Sequence, residues 1–374
     1  MMPRSAAGLL GAVLILAVLW DAFEVMILPR RVERRLRLAR GFYRSTWRMW
    51  SAVGRSMSPG RRREAYLGVY GPLSLLVLFV LWATALIGGF GLVQWALRFQ
   101  PALDRGPATL ADALYLSGST FFTLGLGDIV PIGAAAKTLA VVEAGTGFLF
   151  LAVIVGYLPV MYQAFSRREV AISMLDARAG SPPSAAELLR RHGADLHDLN
   201  RLLSDWERWA AELLESHLSY PVLCYFRSQH DNESWLAAIT TILDTCALMT
   251  VNVDDLCRRQ AQLTFAIARH ALSDLAQVLG APPRPGPERL PSSAGAELRS
   301  TLARHGIRLG DGEATDRRLA ELRRLYEPYV NSLATRLLLA VPSWIEPKRR
   351  SDNWSVTAWD PRPPPDGTLP LFDS

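Results

Sequence analysis

The sequence predicts an all-α membrane protein with three membrane-spanning helices, a half-length re-entrant helix between the second and third, and a helical domain outside the membrane. Three observations carry this reading. The chain has 374 residues, 50% of them hydrophobic, yet the apolar residues gather in 7–163 while 166–374 read as amphipathic protein. Three segments of the first half reach the roughly 20 apolar residues that crossing a bilayer requires. The net charge is +6 and the basic residues are arginine except for Lys137 and Lys348. The densest basic block, Arg30 to Arg63, lies between two apolar spans, so a membrane surface rather than nucleic acid accounts for it. Composition excludes a collagen-like, disulfide-scaffold or wholly disordered chain. The three cysteines, Cys224, Cys246 and Cys257, form no CxxC pair and read as reduced cytosolic thiols.

Residues 1–29 hold the first span, whose apolar core is 7–28. A signal peptide is the competing reading, since Arg4 precedes that core. The small-residue cleavage pattern is lacking, and cleavage would strand the arginine block outside the cell, against the positive-inside bias. Asp21 and Glu24 share a helix face near the cytoplasmic end and are expected to pair with Arg30, Arg31 or Arg34. Residues 30–68 form a basic cytoplasmic or interfacial segment with twelve arginines. There Trp47, Met49 and Trp50 alternate with arginines, which suits a helix lying among lipid headgroups. Arg61, Arg62 and Arg63 are the expected contacts for anionic inner-leaflet lipid.

Residues 69–165 contain the second span (about 69–95), the third (about 135–163) and, between them, ATLADALYLSGSTFF at 108–122. That stretch is too short to cross the bilayer and is a re-entrant candidate. Thr109 or Asp112 is placed to cap it. Non-helical backbone at membrane depth is tolerated only where it is buried in protein or lines water. The half-helix runs directly into Thr123-Leu124-Gly125-Leu126-Gly127-Asp128, then Ile129, Val130 and Pro131. A lone Gly-x-Gly-Asp is a weak turn signal. Bracketed by a span, a half-helix and another span, it becomes specific.

This layout and these residues resemble the pore of tetrameric potassium channels, with TLGLG in the place of the TVGYG filter. Ser117, Thr120, Thr123, Asp128 and Pro131 fall where the pore-helix-to-filter segment carries like residues, and TLGLGD is similar to filters of two-pore-domain channels. The resemblance covers about 69–165, identified as an ion-channel pore domain. It implies potassium binding by the carbonyls of Thr123, Leu124, Gly125, Leu126 and Gly127, with Ser117, Thr120 and Asp128 in support. It also implies a gating hinge at Gly147, twenty residues after Gly127. The chemistry is consistent: a dehydrated cation needs stacked carbonyls on one axis, and glycine reaches the backbone angles this demands. Phe122 departs from the family's threonine and Leu126 from its tyrosine. Leu126 can hold the loop only by apolar packing, with Phe121, Phe122 and Tyr115 as expected contacts. Glu143, in the third span, reads as a strut behind the filter or a cavity acid and, equally, as a hydrogen-bonded packing residue. Pro159 offers a second kink. With one pore loop per chain, a closed ring requires a homotetramer.

Beyond Ser166-Arg167-Arg168, residues 166–340 are expected to be a cytoplasmic helical domain. Ser181-Pro182-Pro183 breaks the chain, and Ser184 with Glu187 forms a capping-box pattern. Leu199, Leu202, Trp206, Trp209 and Leu213 recur at helical spacing and read as core. Residues 235–253 are apolar, but Asp244 and four threonines favour a buried helix over a fourth span. Residues 280–295 read as a proline-rich linker or long loop. The tail 341–374, with Trp344, Trp354 and Trp359, reads as partly disordered. No nucleotide-binding or zinc spacing is found, and His217, Cys224 and His230 do not match a metal pattern. The reading is a cell-membrane, three-span homotetrameric channel for potassium, with its N-terminus outside and its C-terminus cytoplasmic. Membrane lipid is the other partner; no nucleic acid, cofactor, metal beyond the permeant K+ or enzymatic role is expected. A weakly selective cation channel and a non-conducting membrane scaffold or sensor are the rivals.

Overall fold

The second span is the C-terminal part, and the third the N-terminal part, of a much longer helix. In the computed structural model, which describes residues 3–28, 38–97, 99–101, 109–192, 196–230, 232–252, 255–307 and 309–345, the chain is α-helical with one two-stranded sheet. It begins with α1 (Arg4–Met26), α2 (Leu38–Ser56) and α3 (Arg61–Leu97). The re-entrant helix α4 (Leu110–Phe121) and α5 (Gly133–Ala179) follow. At 37 and 47 residues, α3 and α5 exceed the roughly 30 Å hydrocarbon layer by a wide margin at about 1.5 Å per residue. Among the described residues α1, α3 and α5 are long and apolar enough to cross a membrane. The chain divides into two compact units, Met1–Met49 with Tyr70–Tyr162, and Trp50–Val69 with Gln163–Ser374.

In the first unit α1 runs antiparallel to α3. The Arg4 guanidinium lies 5.7 Å from the Trp95 ring at one end. Trp82 donates to Asp21 at 3.1 Å at the other. Between them the backbones nearly touch: a Cβ on Gly11 would sit 2.4 Å from the Gly89 carbonyl oxygen. Small residues at such a crossing let van der Waals packing hold two spans that hydrophobicity alone cannot bind in lipid. Asp21 also accepts the Ala39 amide at 3.1 Å, placing a carboxylate at the N-terminus of α2, where the helix dipole favours it. Glu24 accepts from Trp20 at 2.7 Å. The partners expected for these acids, Arg30, Arg31 and Arg34, lie outside the described residues. Two of the α2 residues expected among lipid headgroups turn to protein. Trp47 is buried edge-on against Tyr70 and Trp50 stacks on Tyr66, so both serve protein packing; Met49 alone stands 74% exposed.

The second unit is a helical bundle around α8 (Trp235–Asn252), which packs with α9 (Asp255–Val278) and α6 (Ala185–His192), while α7 (Leu196–Ser219) lies along α9. The short helices α10 (Ser292–Arg304), α11 (Glu313–Arg324) and α12 (Glu327–Leu337) complete it. Leu199, Leu202, Trp206, Trp209 and Leu213 are buried, as their spacing predicts. The apolar helix α8 is interior to this unit. Its Asp244 is fully buried but accepts from Arg289 at 2.6 Å and from the Tyr326 hydroxyl at 2.5 Å, which a buried carboxylate requires. Residues 280–291 are not a free linker: Arg284 donates its amide to Pro328 at 3.0 Å, and Ser332 donates to Pro282 at 2.6 Å. The tail reading is corrected at its start. Trp344 is buried, with the Arg289 and Arg323 guanidinium groups 5.7 and 5.6 Å from its ring. Trp354 and Trp359 lie outside the described residues. Only half of the Ser184 capping box forms: Ser184 Oγ accepts the Glu187 amide at 3.2 Å, while Glu187 turns to Arg190 and Arg191. Burial would raise the Glu187 pKa, but these two arginines outweigh it and hold it at about 2.

Candidate functional site

The loop 122–128 is shaped from both ends. On its entry side α4 opens with a complete capping box: Thr109 Oγ1 accepts the Asp112 amide at 3.2 Å and Asp112 accepts the Thr109 amide at 2.9 Å. This satisfies amides that a short helix would otherwise leave open. On its exit side β2 (Ile129–Pro131) pairs antiparallel with β1 (Phe99–Pro101), Gln100 opposite Val130. Phe99, Ala113 and Leu116, with Trp95 and Ile129, form the apolar cluster behind this frame.

Between these anchors the backbone alternates. Thr123, Gly125 and Gly127 have left-handed φ of 57°, 56° and 78°, and Leu124 and Leu126 between them do not. A chain alternating in handedness turns successive amides to one side and successive carbonyls to the other. The amides face α4: Thr123 donates to Thr120 at 3.0 Å, and Leu124 and Gly125 both donate to Ser119, at 2.7 and 3.4 Å. Among the described residues, no hydrogen bond reaches the carbonyls of 123–127. Five consecutive unbonded carbonyls are unusual in a protein, where such groups are nearly always paired. The left-handed angle at Thr123 was not legible in the sequence, because threonine rarely adopts it.

Behind the loop sits a buried polar cluster joining three helices. Ser117 of α4 donates to Glu143 of α5 and lies 2.8 Å from the Ile87 carbonyl of α3. Gln94 of α3 is fully buried beside it and donates to the Ala136 carbonyl at 3.4 Å. Ser117 and Glu143 are thus brought together by a hydrogen bond. Gln94 was missed; its signal was a lone amide in an apolar span. Thr120 and Asp128 flank the loop, Thr120 through its carbonyl bond to Thr123. Gly147 acquires a specific role: a Cβ there would lie 2.0 Å from the Phe121 carbonyl oxygen. The glycine is where α5 touches the end of α4, and α5 runs through it and through Pro159 as one helix. Leu126 does not find the expected contacts in its own chain, for it is 65% exposed. Phe121 is instead packed on Phe122 and Phe150. Arg61, Arg62 and Arg63 form the first turn of α3, with Arg61 and Arg62 exposed.

Comparison with known proteins bears on this geometry. The family described as Ion channel matches residues 75–164, which takes in most of α3, all of α4, the loop and the apolar part of α5. Protein LctB of Bacillus caldotenax is 36% identical over 95 residues, covering 22% of this chain and 70% of LctB, and LctB of Geobacillus stearothermophilus matches to the same extent. The chain belongs to the ion channel family. This ion channel is also similar to the uncharacterized membrane protein YdjJ of Bacillus subtilis, 26% identical over 194 residues, and spans 56% of that relative's length. No solved structure matches the ion channel chain. The family, with the three apolar helices, makes it a multi-pass membrane protein and points to transport rather than catalysis.

Proposed function

We propose that this ion channel is a homotetramer that conducts potassium through a ring of carbonyls from Thr123, Leu124, Gly125, Leu126 and Gly127. The observation that carries the proposal is the set of unbonded carbonyls on the side of the loop opposite α4. Carbonyl oxygens so arranged replace the hydration shell of a cation. One chain supplies one wall of such a ring, and a closed ring of identical chains follows from rotational symmetry. The outward surface of α5 supports assembly: Phe148, Leu149, Leu151 and Val155 are all exposed in the single chain. Ser117, Glu143 and Gln94 position the loop from behind, with Thr120 and Asp128 at its two ends. Gly147 seats α5 on α4, and Pro159 gives the inner helix its bend. The permeant K+ is cargo, and the reading calls for no cofactor or nucleic acid.

The positive-inside bias supports a cytoplasmic side for the arginines of α2 and the first turn of α3. Arginine at a helix N-terminus opposes the helix dipole, which favours an external partner for Arg61, Arg62 and Arg63; anionic inner-leaflet lipid supplies one. The N-terminus then lies outside and residues 166–340 inside. The test is potassium flux from purified protein in liposomes, with Gly125→Ala and Gly127→Ala as controls. Flux in the unmutated protein that fails in both variants, with the tetramer retained, is the expected result. Equal sodium flux would favour a weakly selective cation channel, which the exposed Leu126 makes the second reading. No flux at all would leave a membrane scaffold acting through its helical unit.

A further inference from the structure

Two features outside the loop converge on the same boundary. The limits of the compact units fall at Val69–Tyr70 on α3 and at Tyr162–Gln163 on α5. Each helix carries one internal proline, Pro72 on α3 and Pro159 on α5, within a turn of that limit. Proline removes an amide from the helix ladder and crowds the carbonyl four residues earlier, so bending concentrates there.

Below both prolines, one short segment, Leu223–Ser228, holds the two helices. On α5 it is held by Arg168, which is buried. Its guanidinium makes four hydrogen bonds: to the carbonyls of Leu223 and Phe226, each at 3.0 Å, to His217 at 3.1 Å, and from Nε to Glu169 at 2.9 Å, with Nη2 also 2.8 Å from the Glu169 carboxylate. Phe226 packs on Phe165 with ring centroids 5.5 Å apart, and Ser228 donates to Glu169. On α3 the same segment reaches Glu64, paired with Arg227 at 3.2 Å, and a Cβ on Gly68 would lie 3.7 Å from the Arg227 Cβ. The segment is in turn tied to the bundle. Arg227 donates to the carbonyls of Leu337 and Leu338 at the end of α12, and Trp235 of α8 donates to the Cys224 carbonyl at 3.3 Å. Six residues therefore grip the bases of both helices that frame the loop and two helices of the bundle.

We propose that Leu223–Ser228 is the coupling through which the helical unit sets the open probability of the pore, with Pro72 and Pro159 as the paired hinges. The proposal rests on the channel reading above and names the regulation of that pore. Movement of the bundle is delivered to α3 and α5 together, which a grip on one helix alone could not do. Arginine is required at 168 because its planar fork reaches two carbonyls, His217 and Glu169 at once; lysine has the charge but carries it on a single nitrogen.

The test uses the full-length tetramer. Glu64→Gln combined with Ser228→Ala loosens the grip at both helices without burying a new group, and Arg168→Lys loosens it at α5. Single-channel recording is expected to show open probability changed by about tenfold, within the usual range for coupled sites, with unitary conductance and reversal potential unchanged. Adding Pro72→Ala and Pro159→Ala to the E64Q/S228A protein is expected to abolish that change. Hydrogen exchange on the same detergent-solubilised proteins is expected to quicken in 61–69 and 163–172 while α8 and α9 keep their protection, which also shows that the variants are folded. Unchanged open probability in a conducting, folded E64Q/S228A protein overturns the coupling. A full effect surviving both proline replacements overturns the hinges. Should even the unmutated protein fail to conduct, the channel reading fails by itself, and the exchange experiment then judges the grip alone: unchanged exchange at the two helix bases overturns it.

Discussion

Gly147 separates two accounts of one residue. As a hinge alone, its replacement would alter only how often the channel opens. The structure puts its Cα against the Phe121 carbonyl, with no room for a methyl group at 2.0 Å. Gly147→Ala must displace the end of α4, and with it the carbonyls of Ser119 and Thr120 that hold the loop amides. The expected outcome is lost or less selective conduction, seen as a reversal potential moving toward zero in mixed potassium and sodium. A changed open probability with an unchanged reversal potential would return Gly147 to a hinge. The residues of the loop were legible because few structures besides a carbonyl-lined loop call for glycine at alternate positions directly after a half-helix. Glu143 was legible as an intramembrane acid, but its partners were not. Gln94 lies 49 residues away in the chain, and nothing in a single sequence states which faces of two helices meet.

His217 supports a test at the level of packed elements. It is fully buried between α7 and α5, with Arg168 donating to its Nε2 at 3.1 Å. Burial first, and then the Arg168 charge, hold its pKa well below the usual 6.5. The folded state therefore keeps His217 neutral while the unfolded state takes up a proton below pH 6.5. Its contribution is complete above that pH and is lost as pH falls, by up to about 1.4 kcal/mol per unit. The unfolding midpoint of the full-length protein is expected to drop between pH 7.5 and 5.5, and to drop less in His217→Gln. An equal drop in both would remove His217 as the cause. The packing of α1 on α3 is equally direct. Gly89→Leu forces a side chain into the Gly11 backbone, and such overpacking usually costs about 1–3 kcal/mol. Lower thermal stability is expected, with potassium flux retained because the loop is built by α3, α4 and α5. Loss of flux without loss of stability would tie α1 to conduction. At the start of α3, Arg61, Arg62 and Arg63 replaced by glutamine should weaken the dependence of the reconstituted protein's thermal stability on anionic lipid, by about 1 kcal/mol for each arginine that touches the surface. An equal dependence on anionic lipid in the unmutated and substituted proteins would remove that contact. The buried face of α7 was legible at Leu199, Leu202, Trp206, Trp209 and Leu213 from their helical spacing. The roles of Trp47 and Trp50 were not, because a tryptophan beside arginines looks the same at a lipid interface and in a helix packing seam. Trp344 was hidden by the prolines around it, since two arginines from elsewhere in the chain, Arg289 and Arg323, enclose it.

The membrane half of the molecule follows from solvent physics: lengths near the bilayer thickness, a segment too short to cross, and a charge asymmetry. The helical half obeys weaker rules, and its activity was not legible because no nucleotide-binding or zinc spacing marks its sequence. Its grip on α3 and α5 is built largely from backbone carbonyls and two arginines, Arg168 and Arg227, which no spacing in the sequence singles out. The central claim remains the chemistry of the loop. Leu126 lacks the hydroxyl that a tyrosine would offer, and losing one such hydrogen bond removes roughly 0.5–1.5 kcal/mol per chain. The carbonyls themselves are backbone and survive the change. The deciding measurement is the reversal potential of the reconstituted protein under biionic potassium and sodium. A potential displaced strongly toward potassium, and abolished in Gly127→Ala, is the result this account requires. A potential near zero in the unmutated protein, meaning near-equal permeability, would contradict it.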